Sequence, residues 1–121
     1  MNQKIIKKIK KKIKNTNYEV YGLRSELYNN YELGDIAKKS YIWDDDQITD
    51  EQLPGTCTVR INQENIESGL KAALDYFGEN ILLLAGEEKI NYEDADYREQ
   101  LIPNAKIIGK YKYKDIEEGL K

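Results

Sequence analysis

The chain has 121 residues, with 19 Lys and Arg against 22 Asp and Glu, no histidine and one cysteine. This length supports one hydrophobic core and excludes two domains of ordinary size. Without histidine there are no Ser-His or Cys-His nucleophile pairs and no His-ligated metal sites, and a single cysteine excludes an internal disulfide. The longest apolar run, residues 81–85, is far shorter than the ~18–20 residues of a membrane span. The composition therefore favours a small cytosolic binding domain that needs no cofactor over an enzyme.

Charge is divided unevenly along the chain. Residues 1–14 contain seven Lys and no acidic residue, which leaves 12 basic and 22 acidic residues, a net charge of −10, for residues 15–121. Four isoleucines in the basic segment recur at helical spacing: Ile5, Ile6, Ile9 and Ile13. We therefore expect a basic amphipathic helix, and we divide the chain into a helical arm, 1–16, and a single α+β domain, 17–121.

The basic arm has three candidate partners, which are nucleic-acid phosphates, an anionic membrane and protein. A body of charge −10 would be repelled by the first two, and the arm contains no aromatic residue. We therefore expect the isoleucines to pack on the chain's own body or in a homo-oligomer, without membrane and with nucleic acid disfavoured.

The rest of the chain is dominated by strand patterns. We predict strands over 18–24, 36–43, 56–61, 81–85 and 105–113. In the clearest of these, Cys57, Val59 and Ile61 should point inward, and Thr56, Thr58 and Arg60 outward.

One main helix follows the third strand. Asn62 is a suitable N-cap, the apolar residues from Ile66 to Phe77 form one face, and Gly78 is placed to end the helix. Residues 44–55 and 86–100 are acidic and are predicted to be loops, the first with one helical turn at 49–53. The pattern predicts an α+β fold, in which a mostly antiparallel sheet is packed by one main helix and preceded by the basic helix.

Chemically, arginine and the aromatic residues are the most informative. There are three arginines, Arg24, Arg60 and Arg98, and the planar guanidinium is suited to phosphate or carboxylate recognition. Trp43, Tyr92 and Tyr97 could stack on a base. Asp44-Asp45-Asp46 lacks the spacing of a calcium loop, and Glu87 and Glu88 are adjacent on an extended chain, so that they face opposite ways.

Several segments together resemble small phage and prophage proteins of low-GC Gram-positive hosts, over about residues 18–110. The segments that carry the resemblance are Tyr21-Gly22-Leu23-Arg24, Tyr31-Glu32-Leu33-Gly34-Asp35, Ser40, Trp43-Asp44-Asp45, Thr49 to Thr56, and the main helix with Ile81 to Gly86. Among such proteins the chain is most similar in size and segment order to the Thoeris anti-defence family. The resemblance implies a homo-oligomer that sequesters a cyclic ADP-ribose-type immune signal near subunit interfaces and releases it intact.

The chemistry of such a ligand assigns candidate contacts. Its pyrophosphate requires cations, its adenine an aromatic face, and its riboses small polar groups. The candidates are Arg24, Arg60, Arg98, Lys110 and Lys112 for the pyrophosphate, Trp43, Phe77 and Tyr92 for the base, and Thr56, Asn91 and Asp45 for the riboses.

Two other functions stay open. An acidic body could mimic nucleic acid and inhibit a host defence nuclease, in the manner of an anti-CRISPR protein. Alternatively, the chain could be an enzyme acting on NAD through Arg24, Ser40 and a loop glutamate, for which Glu87 and Glu88 are the candidates. The absence of histidine makes the enzyme the least favoured of the three.

Overall fold

A computed structural model describes residues 4–26, 30–45, 47–76, 78–91 and 99–120, with the main chain alone at Trp43. The described residues form three helices and seven strands. In chain order these are α1 Lys4–Asn15, β1 Val20–Glu26, β2 Tyr41–Asp44, β3 Gln47–Gln52, β4 Thr56–Ile61, α2 Ile66–Ala73, β5 Asn80–Gly86, β6 Glu99–Ile102, β7 Lys106–Lys112 and α3 Tyr113–Gly119. None of these helices is both long and apolar enough to cross a membrane.

Five of the strands form one sheet in the order β6-β4-β1-β5-β7, and every neighbouring pair is antiparallel. The predicted α+β class with a mostly antiparallel sheet is confirmed. Three helices are present, however, where one main helix and a basic N-terminal helix were expected. β2 and β3 form a separate two-stranded hairpin.

All three helices pack on one face of the sheet. Their buried side chains, including Ile9, Leu70 and Ile116, join Leu23 and Leu83 of the strands in one apolar cluster. The isoleucines of α1 therefore pack in the core of their own chain, and α1 belongs to the same folded unit as the sheet. Packing on the chain's own body was one of the two arrangements expected for these isoleucines.

The opposite face of the sheet is concave. Only residues 103–105 connect β6 to β7, although these strands lie at opposite edges of the sheet. The chain from Ile102, the last residue of β6, to Lys106, the first of β7, reaches at most about 14 Å. In a flat sheet, the four strand spacings between β6 and β7 would span about 19 Å. The sheet must therefore curl, and Ile102 of β6 packs with Leu82, Leu84 and Ile107 in a second apolar cluster. A side chain at Gly86 would clash with Ile102 at this closure.

This curvature corrects the prediction for β4. Val59 and Ile61 are buried as expected, but Thr56 and Thr58 are buried too, at 1% and 2% exposed, because the face opposite the helices is also covered. Gly22 makes room for Thr58, since a side chain there would clash with the threonine hydroxyl. The Thr58 hydroxyl donates to the Gln100 carbonyl, 3.4 Å away.

Other segments also differ from the prediction. The strand predicted over 36–43 begins only at Tyr41, and the predicted loop 86–100 ends in β6, which begins at Glu99. Residues 47–52 are the second strand of the hairpin and contain no helical turn. α2 begins after Asn65 rather than Asn62, because the Asn62 side chain accepts hydrogen bonds from the N–H groups of Glu64 and Asn65 in a turn before the helix. The helix ends at Ala73, before the glycine that was expected to stop it.

Candidate functional site

The sheet opens between β1 and β4. These strands pair from Tyr21 with Ile61 to Leu23 with Val59, and their described residues do not pair beyond that point. β1 continues along β5 to Glu26, and β4 is paired with β6 back to Thr56. The parting strands leave a cleft, which we call the β1–β4 cleft. It is lined by Leu23, Arg24, Ser25, Ser40, Cys57, Thr58, Val59, Tyr76 and Glu99.

The β1–β4 cleft has a volume of about 340 Å³. This lies at the lower end of the ~300–1,000 Å³ typical of small-molecule sites. It combines one cation, Arg24, and one acid, Glu99, with hydroxyl groups and the apolar side chains of Leu23 and Val59. Such a mixture of a few polar groups on an apolar wall is typical of a ligand site.

Hydrogen bonds orient the acid of this cleft. The hydroxyl of Tyr76 donates to Glu99 Oε1 at 2.6 Å, and the thiol of Cys57 donates to Oε2 at 3.3 Å. The N–H of Cys57 donates in turn to Ser40 Oγ at 2.9 Å. Four residues from distant parts of the sequence are thereby connected around the opening.

Cys57 is not a nucleophile in this setting. Burial, followed by the charge of Glu99 and the hydrogen bond to it, raises the pKa of the Cys57 thiol to about 12, and the charge of Arg24 offsets only part of this rise. The thiol is thus protonated at neutral pH, and its role is to donate to Glu99.

A second cleft lies between the end of β4 and the start of α2, and we call it the α2 cleft. It has a volume of about 490 Å³. Its lining residues include two basic residues, Arg60 and Lys89, one acid, Glu19, and the polar residues Asn62, Asn65 and Ser68. Val59 borders both clefts. Because Arg60 is paired with Gly22, it is on the same sheet face as Arg24, two residues further along β1.

The eleven residues proposed from the sequence do not form one site. Arg24 lines the β1–β4 cleft and Arg60 the α2 cleft. Phe77, Tyr92 and Arg98, and the side chain of Trp43, lie outside the described residues.

Five of the proposed contacts line neither cleft. Thr56 is buried, and its hydroxyl donates to the Lys38 carbonyl at 2.9 Å, so it is structural. Asp45 is an exposed residue with a φ of 48° in the turn between β2 and β3. Asn91 is exposed after β5, and Lys112 is exposed where β7 meets α3.

Lys110 is the fifth, and it has a structural partner. Its ammonium group is 2.9 Å from Glu26 Oε1, and it also donates to Asn30 Oδ1 and the Tyr31 carbonyl. The side chain of Glu26 is only 7% exposed and accepts two more hydrogen bonds, from the N–H of Tyr31 and the amide of Asn80. Because Lys110 pairs with the carboxylate of Glu26, we assign it a structural role rather than a ligand contact.

Sequence reasoning missed Glu99 and Tyr76. Glu99 was one of six acids in a segment without periodicity, and Tyr76 was one of ten tyrosines. Their convergence depends on the pairing of β4 with β6, which no local pattern encodes. Within the part of the chain that the structure describes, no group of His, Cys, Asp or Glu is arranged to hold a metal ion.

Comparison with protein-family models, curated proteins and solved structures finds no match to this chain.

Proposed function

We propose that this chain binds a nucleotide containing an ADP-ribose unit in the β1–β4 cleft and holds it without cleaving it, as the Thoeris anti-defence proteins that it resembles would do. The observation that carries the proposal is the convergence of Arg24 with Glu99, Ser40 and Thr58 in one opening of the sheet. Both the type of ligand and its cyclic form are taken from the resemblance, and the polar groups of the cleft are compatible with them.

The polar groups of the cleft suit the parts of such a ligand. The guanidinium of Arg24 is a donor for a pyrophosphate oxygen. Glu99, fixed by Tyr76 and Cys57, can accept hydrogen bonds from ribose hydroxyl groups. The exposed ring of Tyr76 and the apolar side chains of Leu23 and Val59 offer contact to a base.

We place the far end of a longer ligand in the α2 cleft, which shares Val59 with the β1–β4 cleft. The lining of the α2 cleft includes Arg60 and Lys89, together with the acid Glu19. In this arrangement Arg24 is the main anchor and Arg60 a secondary one.

Calorimetric titration with cyclic ADP-ribose tests this arrangement. Arg24→Ala should weaken binding about tenfold to a hundredfold, because a hydrogen bond to a charged group contributes about 1.5–3 kcal/mol. Arg60→Ala should weaken it less, and both melting temperatures should stay close to that of the wild type. Normal affinity in Arg24→Ala together with a large loss in Arg60→Ala would place the ligand in the α2 cleft and contradict the proposal.

A second function, turnover of NAD, is favoured by one specific observation. Arg24 and Ser40, which this alternative requires, line the same cleft, and the glutamate beside them is Glu99 rather than Glu87 or Glu88. When the bond between nicotinamide and ribose breaks, its electron pair leaves with the nicotinamide nitrogen and positive charge develops on the ribose. A fixed carboxylate can stabilise that charge while water adds to the ribose carbon and loses a proton.

The fate of the ligand separates the two functions. Protein incubated with cyclic ADP-ribose or NAD is heated, and the released nucleotide is identified by mass spectrometry. Sequestration predicts full recovery of both compounds. Free nicotinamide from NAD, absent with Glu99→Gln, would instead establish turnover.

A further inference from the structure

The packing of α1 leaves its lysines as a separate surface. Ile6, Ile9 and Ile13 are buried in the core, whereas the lysines at positions 4, 7, 8, 10, 11, 12 and 14 are all exposed. Four of them line a shallow groove of about 540 Å³ beside the start of α2, which we call the lysine groove. Its lining residues are Lys7, Lys10, Lys11, Lys14, Asn15 and Gln63.

The β2–β3 hairpin has the opposite charge. Residues 41–52 contain five acidic and no basic residues, and the described acids Asp44, Asp45, Asp50 and Glu51 are exposed. Ile48 is 60% exposed and Tyr41 39% exposed, which is unusual for side chains of their size. The hairpin is thus an acidic element with an apolar centre.

The hairpin also projects from the body. Hydrogen bonds of Ser40 with Gly55 and Leu53 hold its base, but no other described helix or strand packs extensively against its two strands. A two-stranded hairpin is marginally stable alone and gains stability when another element covers it. We therefore expect a basic surface to cover this acidic hairpin.

We propose that the hairpin of one copy of this chain docks in the lysine groove of a second copy. The charges are complementary, because four lysines line the groove and the described residues of the hairpin include four exposed acids. The methylene stems of the lysines provide apolar contact for Ile48 and Tyr41. Different surfaces meet in this contact, so two copies can exchange hairpins reciprocally in a two-fold dimer, or successive copies can join in a ring or an open chain.

A second copy suits the groove better than nucleic acid does. The residues outside 1–14 have a net charge of −10, which repels a long polyanion that extends beyond α1. The hairpin brings a compact group of acids on a short element and its own apolar contact. The inference does not depend on the proposed ligand function.

Complementary charge reversal tests the contact by analytical ultracentrifugation. One triple variant, Lys7→Glu, Lys11→Glu and Lys14→Glu, reverses the groove. Another, Asp44→Lys, Asp50→Lys and Glu51→Lys, reverses the hairpin. Each alone should weaken self-association at least tenfold, and wild-type association should weaken with added salt. An equimolar mixture of the two variants should associate again, because each supplies the partner that the other lacks.

A charge reversal away from both surfaces is the control for these variants. Lys106→Glu, a reversal at an exposed lysine of β7, should leave association unchanged, and thermal melts establish that every variant is folded. The proposal is overturned if the wild type is monomeric at all concentrations, if the mixture fails to associate, or if assembly disappears on nuclease treatment.

Discussion

Burial sets the chemistry of the cysteine in the β1–β4 cleft. Alternation along β4 predicted an inward cysteine, but it could not show that the thiol meets a glutamate from β6. A thiol whose pKa is raised to about 12 by burial and by Glu99 contains about a thousandfold less thiolate at pH 8 than a free cysteine.

The resulting prediction concerns reactivity with iodoacetamide. Cys57 in the folded protein should be alkylated at least a hundredfold more slowly at pH 8 than in urea. Glu99→Gln should speed the reaction of the folded protein, because it removes the negative charge while burial remains. Equal rates in folded and unfolded protein, measured by mass spectrometry, would contradict this assignment of Cys57.

A second prediction concerns the carboxylate of Glu26. Burial raises its pKa, but the hydrogen bonds from Lys110, Tyr31 and Asn80 and the charge of Lys110 outweigh burial and lower the pKa below its ordinary value. A carboxylate whose pKa is lower in the folded state stabilises the fold. This stabilisation is complete at pH values above the pKa in the unfolded chain, about 4.3, and it is lost as the pH falls through the pKa in the folded state.

Glu26→Gln should therefore reduce the free energy of unfolding by about 1–3 kcal/mol at pH 7. The difference from the wild type should shrink as the pH falls below about 4, where Glu26 becomes protonated in both states. Urea titrations at several pH values measure this. A difference that is constant down to pH 3 would show that charge is not the cause.

Among the helices and strands, patterns that depend on near neighbours predicted the structure well. The apolar run at 81–85 became β5, and the alternation at 56–61 became β4. The acidic segment 47–52 was misassigned because its strand is exposed on both sides and shows no apolar alternation. Thr56 and Thr58 were assigned to solvent because the curl of the sheet is a property of the chain connection from β6 to β7.

The packing of α1 in the core predicts that its buried isoleucines stabilise the fold. Ile9 is fully buried, so Ile9→Ala should lower the free energy of unfolding by about 2–5 kcal/mol. Lys8→Ala, at the exposed neighbouring position, should change it by less than about 0.5 kcal/mol. Urea denaturation measures both, and equal stability of Ile9→Ala and the wild type would mean that α1 is a detached arm.

For the molecule as a whole, the division of charge has a structural basis. The basic segment is a helix whose isoleucines complete the core, so its lysines form an outer surface. The arginines are used differently, since Arg24 and Arg60 line clefts on either side of Val59. Sequence reasoning selected both arginines from their residue type, but the acid and the hydroxyl groups around Arg24 depend on the separation of β1 from β4.

The central claim is that the β1–β4 cleft holds the nucleotide, and an NMR titration of the wild-type protein with cyclic ADP-ribose tests it most directly. Saturable shifts of the backbone amide signals should be largest at Arg24, Ser25, Ser40 and Cys57, with smaller shifts at Arg60. Asp45 and Lys112, which line neither cleft, should not move. An unchanged spectrum, or shifts confined to residues 60–68, would contradict the claim.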